Sequence, residues 1–596
     1  MCGIIGYTGD DERAVLDVLL DGLSGLEYRG YDSAGLAISN ASLSVYKREG
    51  ELSNLEAVLP EGLDGFAGVG HTRWSTHGPP SDENAHPHTD CQGRVAVVHN
   101  GIVENYAPLR AELEARGHTF ESETDTEVVP HLIEEHLADG ADPERAFRRT
   151  VERLEGSYAV AAVFSGRETV YATRQASPLV LGVGDDGHYL ASDAPAFIEY
   201  TDRVIYLEDG QFATITPSDV TVTDERGQPA DVTVRRLEWE PEDAGKSGYD
   251  HYMVKEIHEQ PTAIRRCLGG RARELDGSVT IDELTDLETP SSVQFVACGT
   301  SYHASLYGAR LLRERGISAQ SFLASEYDAD ALPIDEETLV VGVTQSGETA
   351  DTLSALRSAN RAGATTLAVT NVVASSAARA CDHTTYIRAG PEIGVAATKT
   401  FASQQVALAM VASVLAGEFP RSFVEGLRDV PDDVQSILDT SRARSIAEQY
   451  EDADAYFFIG RGYNRPVALE GALKMKEITY KHAEGFAAGE LKHGPLALVT
   501  PQTPVFAVIG ADDASEKTLS NVTEVESRGA PVVAVTDSPE RVERHADATL
   551  EVPDTHPCLT PILANVQLQL VAYHVANRLG RSIDKPRNLA KSVTVE

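Results

Sequence analysis

The chain has 596 residues, 42% of them hydrophobic, and a formal net charge of −41 at pH 7. Such a charge disfavours nucleic acids and anionic membranes as partners, because both are themselves negatively charged. The length predicts three or four domains, and the longest nearly apolar run, residues 406–417, is shorter than the roughly 20 residues that span a bilayer.

The pattern of residues 1–238 predicts an α+β domain. Short β-like runs such as CGIIGYTG and RVAVVHNG end at turn residues. Helical periodicity falls between such runs, for example in residues 104–117 and 126–140. Because strands and helices do not alternate strictly, we expect largely antiparallel sheets between helices.

Residues 239–249, WEPEDAGKSGY, are rich in proline, glycine and charge and are predicted to be a linker. The triplet Gly245-Lys246-Ser247 resembles the end of a phosphate-binding P-loop. However, Glu240 stands where that motif needs a glycine, and no strand pattern precedes it. We therefore expect no nucleotide site in this segment.

The sequence after residue 250 repeats itself. Residues 293–304, 337–352 and 362–371 resemble residues 455–466, 502–518 and 528–537, with offsets of 162 to 166 residues. Strands and helices alternate in both copies, which predicts tandem doubly wound α/β domains with buried parallel strands. We place these domains at 250–425 and 426–580, followed by a C-terminal tail at 581–596.

The six cysteines form no C-x-x-C pair and no zinc-like spacing, so neither disulfides nor a metal site are expected. Cys91 lies near His86 and His88 in the sequence, but the AHPH stretch is better explained as a turn. Reduced thiols and a start that lacks the pattern of a secretory signal predict a cytoplasmic protein. Lysine accounts for only 11 of the 51 basic residues, and an acidic chain poor in lysine is typical of halophilic proteins.

Cys2 is the most informative residue of the first domain. If Met1 is removed, the Cys2 thiol lies next to a free α-amine with a pKa near ~7.7, so that one residue supplies nucleophile and base. Arg73 could bind a carboxylate bidentately, and Asp125 could bind a cationic amine. The side-chain amide of Asn100 and the N–H of the following Gly101 could stabilise an oxyanion. The ordinary alternatives are an inert thiol, a packed Arg-Trp pair and an Asn-Gly turn.

In this order, these residues resemble the N-terminal-nucleophile glutaminase domain of the class II glutamine amidotransferases, over about residues 1–235. The resemblance implies that Cys2 attacks the side-chain amide of L-glutamine and releases ammonia. Asn100 and Gly101 would then stabilise the tetrahedral intermediate, and Trp74 would gate the passage of ammonia. The implied glutamine-binding residues are Arg73, Trp74, Thr76, His77 and Asp125.

Two turns of the second half predict a phosphate site. CGTS (298–301) and TQSGET (344–349) each follow a strand and should open a helix, whose exposed N–H groups favour an anion. Simple N-capping by the hydroxyls is the alternative. The second copy has GADDAS (510–515) instead, and its two acids would repel phosphate, so the first copy should hold the ligand.

The stretch 468–498 has the densest pattern of functional side chains. The residues that fall on one predicted helix face are Glu470, Lys474, Glu477 and Lys481. A carboxylate beside an amine suits proton transfer on a sugar carbon, and a solvated row of ion pairs is the alternative. His493 follows on a predicted loop. Lys591, near the C-terminus, could form a Schiff base with a keto sugar, although a frayed tail is the usual outcome there.

The repeated unit resembles the sugar isomerase (SIS) domain, and residues 2–596 resemble the isomerizing glutamine–fructose-6-phosphate aminotransferases, or glucosamine-6-phosphate synthases. This resemblance implies transfer of the amide nitrogen of L-glutamine to D-fructose 6-phosphate and isomerisation to D-glucosamine 6-phosphate, the first step towards UDP-N-acetylglucosamine, without cofactor or metal.

The resemblance also implies a role for each candidate residue of the second half. Lys591 would form the imine, Glu477 would move the proton with help from Lys474, and His493 would promote ring opening from the neighbouring subunit of a homodimer. The implied phosphate ligands are Thr300, Ser301, Gln345, Ser346 and Thr349. Thr344 stands where the family usually has serine, a change that should alter packing rather than abolish binding.

Two alternatives for the function remain. An amidophosphoribosyltransferase or an asparagine synthetase would share the glutaminase, but it would need a nucleotide- or diphosphate-binding signature in the second half. A phosphosugar sensor built from two SIS units would need neither Cys2 nor Lys591.

Overall fold

The computed structural model describes residues 2–11, 14–60, 62–237, 245–273, 277–373, 375–417, 419–511 and 514–593. The chain divides into two compact units, one formed by residues 1–245 and 590–596 and the other by residues 246–589. Met1, residues 239–244 of the predicted linker, and the two acids of GADDAS at positions 512 and 513 lie outside the described residues. The domain borders stay predictions.

Two antiparallel sheets form the centre of the first unit. Its strands are β1 (Gly3–Gly9), β2 (Ser33–Ser39), β3 (Leu43–Glu49), β4 (Ala67–Arg73), β5 (His88–Thr89), β6 (Val95–Val103), β7 (Gly156–Phe164), β8 (Val170–Gln175), β9 (Val180–Val183), β10 (Gly187–Ala191), β11 (Arg203–Tyr206), β12 (Phe212–Ile215), β13 (Val220–Thr223) and β14 (Arg235–Arg236). One sheet has the order β14-β11-β9-β10-β1-β4-β2-β3, and the other has the order β13-β12-β8-β7-β6-β5. Their neighbouring strands pair antiparallel, as in β1 with β4 and β6 with β7.

Helices cover the outer faces of these sheets. They are α1 (Ala14–Leu26), α2 (Leu52–Glu56), α3 (Tyr106–Ala115), α4 (Val128–Ala138) and α5 (Pro143–Val151). Successive side chains of a strand point to opposite faces, so Ile4 of β1 packs in the cluster between the sheets and Ile5 packs against α1. Helices α3, α4 and α5 bury their apolar faces in a third cluster against the smaller sheet. The predicted α+β class, with antiparallel sheets between helices, is confirmed.

Two parallel five-stranded sheets form the second unit. Its strands are β15 (Ser292–Ala297), β16 (Ser318–Leu323), β17 (Thr338–Thr344), β18 (Thr365–Thr370), β19 (His383–Tyr386), β20 (Ala455–Gly460), β21 (His482–Ala487), β22 (Val505–Ile509), β23 (Val532–Thr536) and β24 (Ala548–Glu551). The orders are β16-β15-β17-β18-β19 and β21-β20-β22-β23-β24. The same winding occurs twice, which confirms the predicted duplication of a doubly wound unit.

Helices flank both parallel sheets. They are α6 (Tyr252–His258), α7 (Gln260–Leu268), α8 (Gly299–Glu314), α9 (Ala350–Arg361), α10 (Ser376–Ala380), α11 (Lys399–Ala416), α12 (Arg421–Thr440), α13 (Ala443–Tyr450), α14 (Asn464–Thr479), α15 (Ser515–Glu526), α16 (Pro539–Val542) and α17 (Thr560–Arg578). The apolar run 406–417 belongs to α11, which is buried almost throughout. Among the described residues, no helix combines the length and apolar character needed to span a membrane. The border predicted between residues 425 and 426 falls inside α12.

The prediction that Lys481 shares a helix face with Glu470 is wrong. Helix α14 ends at Thr479, and Tyr480 follows in the left-handed conformation with φ of 62°. A left-handed residue is a common way to stop a helix, although glycine usually occupies it. Lys481 therefore follows the helix instead of continuing its face.

Candidate active sites in the two units

The main chain at Cys2 is held by side chains from two other segments. Its carbonyl oxygen accepts hydrogen bonds from Nδ2 of Asn100 at 2.9 Å and from Nε of Arg29 at 3.2 Å. The half-buried Sγ accepts a hydrogen bond of 3.2 Å from the backbone N–H of Trp74. The same Sγ lies 3.5 Å from the carbonyl oxygen of Trp74, to which the thiol donates. Cys2, which directly precedes β1, thus lies against the C-terminal end of β4 and the side-chain amide of Asn100 in β6.

Asn100 and Gly101 lie within strand β6 and pair with β7, so the alternative of an Asn-Gly hairpin turn is wrong. Gly101 has φ of 118°, and a Cβ atom there would lie 2.0 Å from the carbonyl oxygen of Ser157. Both the left-handed conformation and the close approach require glycine. A glycine is therefore required directly after Asn100, where the predicted oxyanion donors follow one another.

His71 orients the Asn100 amide. Its Nε2 lies 3.1 Å from Oδ1 of Asn100 and 3.0 Å from the carbonyl oxygen of His99. Burial lowers the pKa of His71 to about 3, so the ring is neutral and Nε2–H donates to both oxygens. With Oδ1 occupied in this way, the Nδ2 group of Asn100 points towards Cys2. The sequence prediction missed this residue, although His71 and Arg73 share one face of β4.

Arg73 closes the loop that follows β4. Its guanidinium donates to the carbonyl oxygens of His77, of Gly78 at 3.1 Å and of Pro79 at 3.4 Å. Burial lowers the pKa of Arg73, and the charges of Cys2, Asp32 and Asp125 act in the opposite direction. Arg73 therefore lies near the predicted nucleophile and two acids, and its role in binding glutamine stays a prediction.

The other predicted glutamine-binding residues line the same region. Asp125 is buried and accepts a hydrogen bond of 2.7 Å from the N–H of Val103. The Trp74 ring meets Tyr31 edge-on at 5.6 Å between centroids. Thr76 Oγ1 lies 3.4 Å from Nδ1 of His77.

Two further residues of this region were missed. Arg29 binds the Cys2 carbonyl, and Asp32 accepts a hydrogen bond of 2.8 Å from the N–H of Ser75. Both belong to the glycine-punctuated loop YRGYDSAG, residues 28–35, which was the available signal for them.

The predicted phosphate turns of the second unit lie at the reversal point of the first parallel sheet. Strand β16 lies on one side of β15, and the next strand in the chain, β17, lies on the other side. Strand β15 pairs with β17 from Ser292 to Ala297. Ligands of open α/β sheets bind at such points, beyond the carboxyl ends of the strands. Thr300 and Ser301 lie in the first turn of α8. Gln345, Ser346 and Thr349 lie between β17 and α9.

The turn after β17 needs a glycine at position 347. Its φ is 70°, and a Cβ atom there would lie 2.0 Å from Oγ of Ser375. The N–H of Gly347 donates to Oγ1 of Thr344 at 3.2 Å, and that hydroxyl lies 3.2 Å from Oγ1 of Thr349. The Thr344 hydroxyl therefore organises the turn from its base.

Lys474 is the centre of a buried ionic cluster on α14. Its Nζ lies 2.6 Å from Oε2 of Glu477 and 3.4 Å from Oε1 of Glu470, and it donates to Oγ1 of Thr300 at 3.2 Å. Glu470 also accepts from Thr300 at 2.9 Å, and its other oxygen lies 2.7 Å from Nδ1 of His303. The side chains of Lys474 and Glu470 are 1% and 0% exposed, so the alternative of a solvated ion-pair row is wrong.

The charge state of this cluster follows from its contacts. Burial alone would lower the pKa of Lys474, but the carboxylates of Glu477 and Glu470 raise it above its ordinary value. Lys474 is therefore a cation whose charge is balanced by two carboxylates. His303, which lies in the first repeated segment (residues 293–304), was not among the predicted site residues.

His493 and Lys591 lie elsewhere. The side chain of His493 is 69% exposed, and its Nδ1 lies 3.4 Å from Oε2 of Glu490. Lys591 is half-buried in the segment 590–593, which groups with the first unit rather than with α14. The roles of both residues stay predictions.

Comparisons with known proteins support the domain type predicted for each half of the chain. The family model of the glutamine amidotransferase domain matches residues 71–199, and that of the SIS domain matches residues 286–414 and 449–577. The solved C-terminal domain of glucosamine-fructose-6-phosphate aminotransferase from Francisella tularensis is 35% identical, with a TM-score of 0.52 over 57% of this chain and 99% of that chain.

Two relatives that match this chain over its full length have the same name. A relative from Halobacterium salinarum, glutamine–fructose-6-phosphate aminotransferase [isomerizing], is 54% identical over 610 residues and covers 100% of both chains. A relative of the same name from Symbiobacterium thermophilum is 51% identical, again over 100% of both chains. The chain therefore belongs to the family of isomerizing glutamine–fructose-6-phosphate aminotransferases.

Proposed function

We propose that this chain transfers the amide nitrogen of L-glutamine to D-fructose 6-phosphate and isomerises the product to D-glucosamine 6-phosphate, releasing L-glutamate. Membership of the family supports this reaction. The observation that carries the proposal is the contact of 2.6 Å between the buried Lys474 and the partly exposed Glu477, beside Thr300 of the predicted phosphate turn. A glutaminase alone would have no use for an acid–base pair at a sugar-phosphate site.

The first half-reaction takes place at Cys2. After removal of Met1, the α-amine accepts the thiol proton, and the thiolate attacks the side-chain carbonyl carbon of glutamine. Nδ2 of Asn100 and the N–H of Gly101 stabilise the oxyanion, the proton passes to the departing nitrogen, and ammonia leaves. Water then hydrolyses the thioester to glutamate. Arg73 and Asp125 bind the α-carboxylate and α-amine, Thr76 and His77 complete the pocket, and Trp74 gates the ammonia.

The second half-reaction takes place on the sugar phosphate. The phosphate ligands are Thr300, Ser301, Gln345, Ser346 and Thr349. Lys591 attacks C2 of the open-chain sugar and forms the imine with loss of the carbonyl oxygen as water, and ammonia then displaces the lysine amine. Glu477 removes a proton from C1 and returns it to C2, which converts the ketose imine into the amino aldose. Lys474, 2.6 Å from Glu477, orients the carboxyl group for both transfers.

We further propose that the enzyme is a cytoplasmic homodimer in which His493 promotes ring opening in the partner's site. The 69% exposure of the His493 side chain leaves the ring accessible to a second subunit. The six cysteines are free thiols, which suits a reducing compartment. The reaction as written uses no cofactor.

The test separates the two sites. Cys2→Ala should abolish glucosamine 6-phosphate formation with glutamine but keep it with an ammonium salt, and Cys381→Ser, which changes a thiol far from both sites in sequence, should keep both. Glutamate and hexosamine phosphate are measured together in high salt. Equal loss with both nitrogen donors, or active enzyme that retains Met1 by mass analysis, would contradict the proposal.

A further inference from the structure

A second group of side chains in the first unit converges on one point away from Cys2. Cys91 follows β5, His118 follows α3, and His131 and Glu134 lie one turn apart on α4. One donor atom from each of the four residues lies within 4.8 Å of the other three. The distances from Cys91 Sγ to Nδ1 of His118 and of His131 are 3.7 Å and 3.6 Å. Those from Oε2 of Glu134 to the same nitrogens are 3.0 Å and 3.6 Å.

We propose that Cys91, His118, His131 and Glu134 form a structural zinc site. Zinc prefers four sulfur, nitrogen and oxygen ligands in a tetrahedron, and its bond lengths place such ligands about 3.3–3.6 Å apart. The four distances above span 3.0–3.7 Å. One thiolate and one carboxylate would balance the charge of Zn²⁺, while the two imidazoles bind as neutral rings.

The neighbours of the cluster orient its ligands. His118 Nε2 lies 2.8 Å from Oε1 of Glu135, so a neutral His118 that donates there presents the lone pair of Nδ1 to the cluster. Carboxylates that bind the outer nitrogen of a metal-bound histidine are typical of zinc sites. Arg94 Nη2 lies 3.4 Å from Oε1 of Glu134, which leaves Oε2 facing the cluster. The alternative is a metal-free cluster in which a protonated His118 pairs with both carboxylates.

Burial and access also fit a bound ion. The side chains of His118, His131 and Glu134 are 7%, 2% and 8% exposed, whereas Cys91 is exposed and gives the ion a path from solvent. His131 and Glu134, three residues apart, share one face of α4. The sequence pattern did not predict this cluster, because its residues are spread over 44 positions, from 91 to 134.

His86 and His88, which lie near Cys91 in the sequence, contact other residues. His86 stacks on His71 at 4.2 Å between ring centroids, and Nε2 of His88 lies 3.0 Å from Oγ1 of Thr124. The histidines that contact Cys91 come instead from positions 118 and 131.

A zinc ion here would fasten the turn before β6 to helix α4. Strand β6 carries Asn100 and Gly101, and Asp125 lies three residues before α4 begins. The ion would thus hold together the scaffold of the Cys2 site without touching the reactants. The inference depends on the first unit alone and stands apart from the proposed reaction.

The experiment measures zinc in the full-length chain without an affinity tag. The protein is stripped with a chelator, given zinc, passed through a desalting column in high salt and analysed for metal by mass spectrometry. Wild type should retain about one zinc ion per chain. Cys91→Ala and His131→Ala should retain little or none, and the matched control Cys381→Ser should bind as wild type does. Circular dichroism and gel filtration check folding.

A second readout identifies the ligands. Cobalt(II) in the same site should give the visible bands of tetrahedral coordination and a thiolate charge-transfer band, and Cys91→Ala should lose the latter. All variants are repeated on a Cys2→Ala background, which removes the terminal thiol as a competing ligand. Wild type that retains no zinc, or equal retention by Cys91→Ala, would overturn the inference. Because Cys91 is exposed, its substitution decides the matter even if His131→Ala fails to fold.

Discussion

The side-chain amide of Asn100 donates a hydrogen bond of 2.9 Å to the main-chain carbonyl of Cys2. We predict that Asn100→Ala lowers kcat for glutamine hydrolysis by about 10²–10³, as the loss of one oxyanion donor does in other acyl-transfer enzymes. KM for glutamine should change little, because the donor acts mainly in the transition state. Ammonia-dependent synthesis is the internal control. A parallel loss of that activity would show that the substitution damages more than the glutaminase.

Lys474 is the counter-ion of two carboxylates, and Glu470 is fully buried. Lys474→Met should therefore destabilise the second unit by about 3–5 kcal/mol, since it leaves a buried charge without its cation. It should also abolish sugar-phosphate chemistry. Denaturant unfolding and hexosamine assays measure the two effects. Adding Glu470→Gln should restore much of the stability but not the activity, and a single variant as stable as wild type would refute the buried-charge argument.

Gly347 lies where a side chain has no room. Gly347→Ala would place Cβ 2.0 Å from Ser375 Oγ in a turn that the sugar phosphate is proposed to bind. We expect KM for fructose 6-phosphate to rise at least about tenfold, since the strain of 1–3 kcal/mol falls on the binding turn. Gly363→Ala is the matched control, because Gly363 also has positive φ but has open space around its Cβ position. The Gly363→Ala variant should lose some stability and keep the wild-type KM for fructose 6-phosphate. Equal KM values in the two variants would contradict the prediction.

Unfolding should become easier as pH falls. His71 has a pKa of about 3 in the folded chain but near ~6.5 when unfolded. Between these values the unfolded state binds a proton that the folded state does not. The contribution of His71 to the free energy of unfolding is therefore fully present above pH 6.5. Below pH 6.5 it falls by about 1.4 kcal/mol per pH unit. Burial also lowers the pKa values of His86, His88 and His99, which act in the same direction.

Guanidinium unfolding of wild type and His71→Phe at pH 7, 6 and 5, at constant salt, tests this linkage. The variant should show a shallower loss of unfolding free energy with falling pH. The comparison uses slopes, because the substitution also removes a hydrogen bond to Asn100. Identical slopes would mean that His71 is not held neutral.

Salt should stabilise this chain. The chain has 92 acidic residues against 51 lysines and arginines, so its like charges repel one another in dilute buffer. Raising KCl from about 0.1 M to 2 M shortens the screening length from ~10 Å to below ~3 Å. We expect Tm to rise over this range. An isosmotic series of glucose controls for osmolality, and an unchanged Tm in dilute buffer would contradict halophilic adaptation.

The layered fold follows from local patterns in the sequence. Strand β17 is buried at every position, as expected for a parallel strand covered on both faces, and its apolar run is visible in the sequence. Repetition of that pattern was enough to predict two sheets of the same winding. Periodicity gave no sign of the left-handed Tyr480, because the usual signal for such a helix end is glycine.

The sites depend on contacts between distant positions. Asn100 and Cys2 are 98 residues apart, and without the family resemblance nothing in composition or spacing brings them together. Cys91 is a second example, because the histidines near it in the sequence are not the histidines that contact it in the structure. Residues that support others, such as His71 and His303, are hardest to predict because their role exists only after folding.

The hydrogen bonds of Thr300 to Glu470 and Lys474 join residues from opposite copies of the duplicated unit. The two copies are therefore not interchangeable, because the predicted phosphate turn belongs to one copy and the predicted acid–base helix belongs to the other. With the two predicted roles on different copies, the second copy does not need a phosphate turn of its own. It also means that neither half, expressed by itself, would inherit a working catalyst from the ancestral single-copy fold.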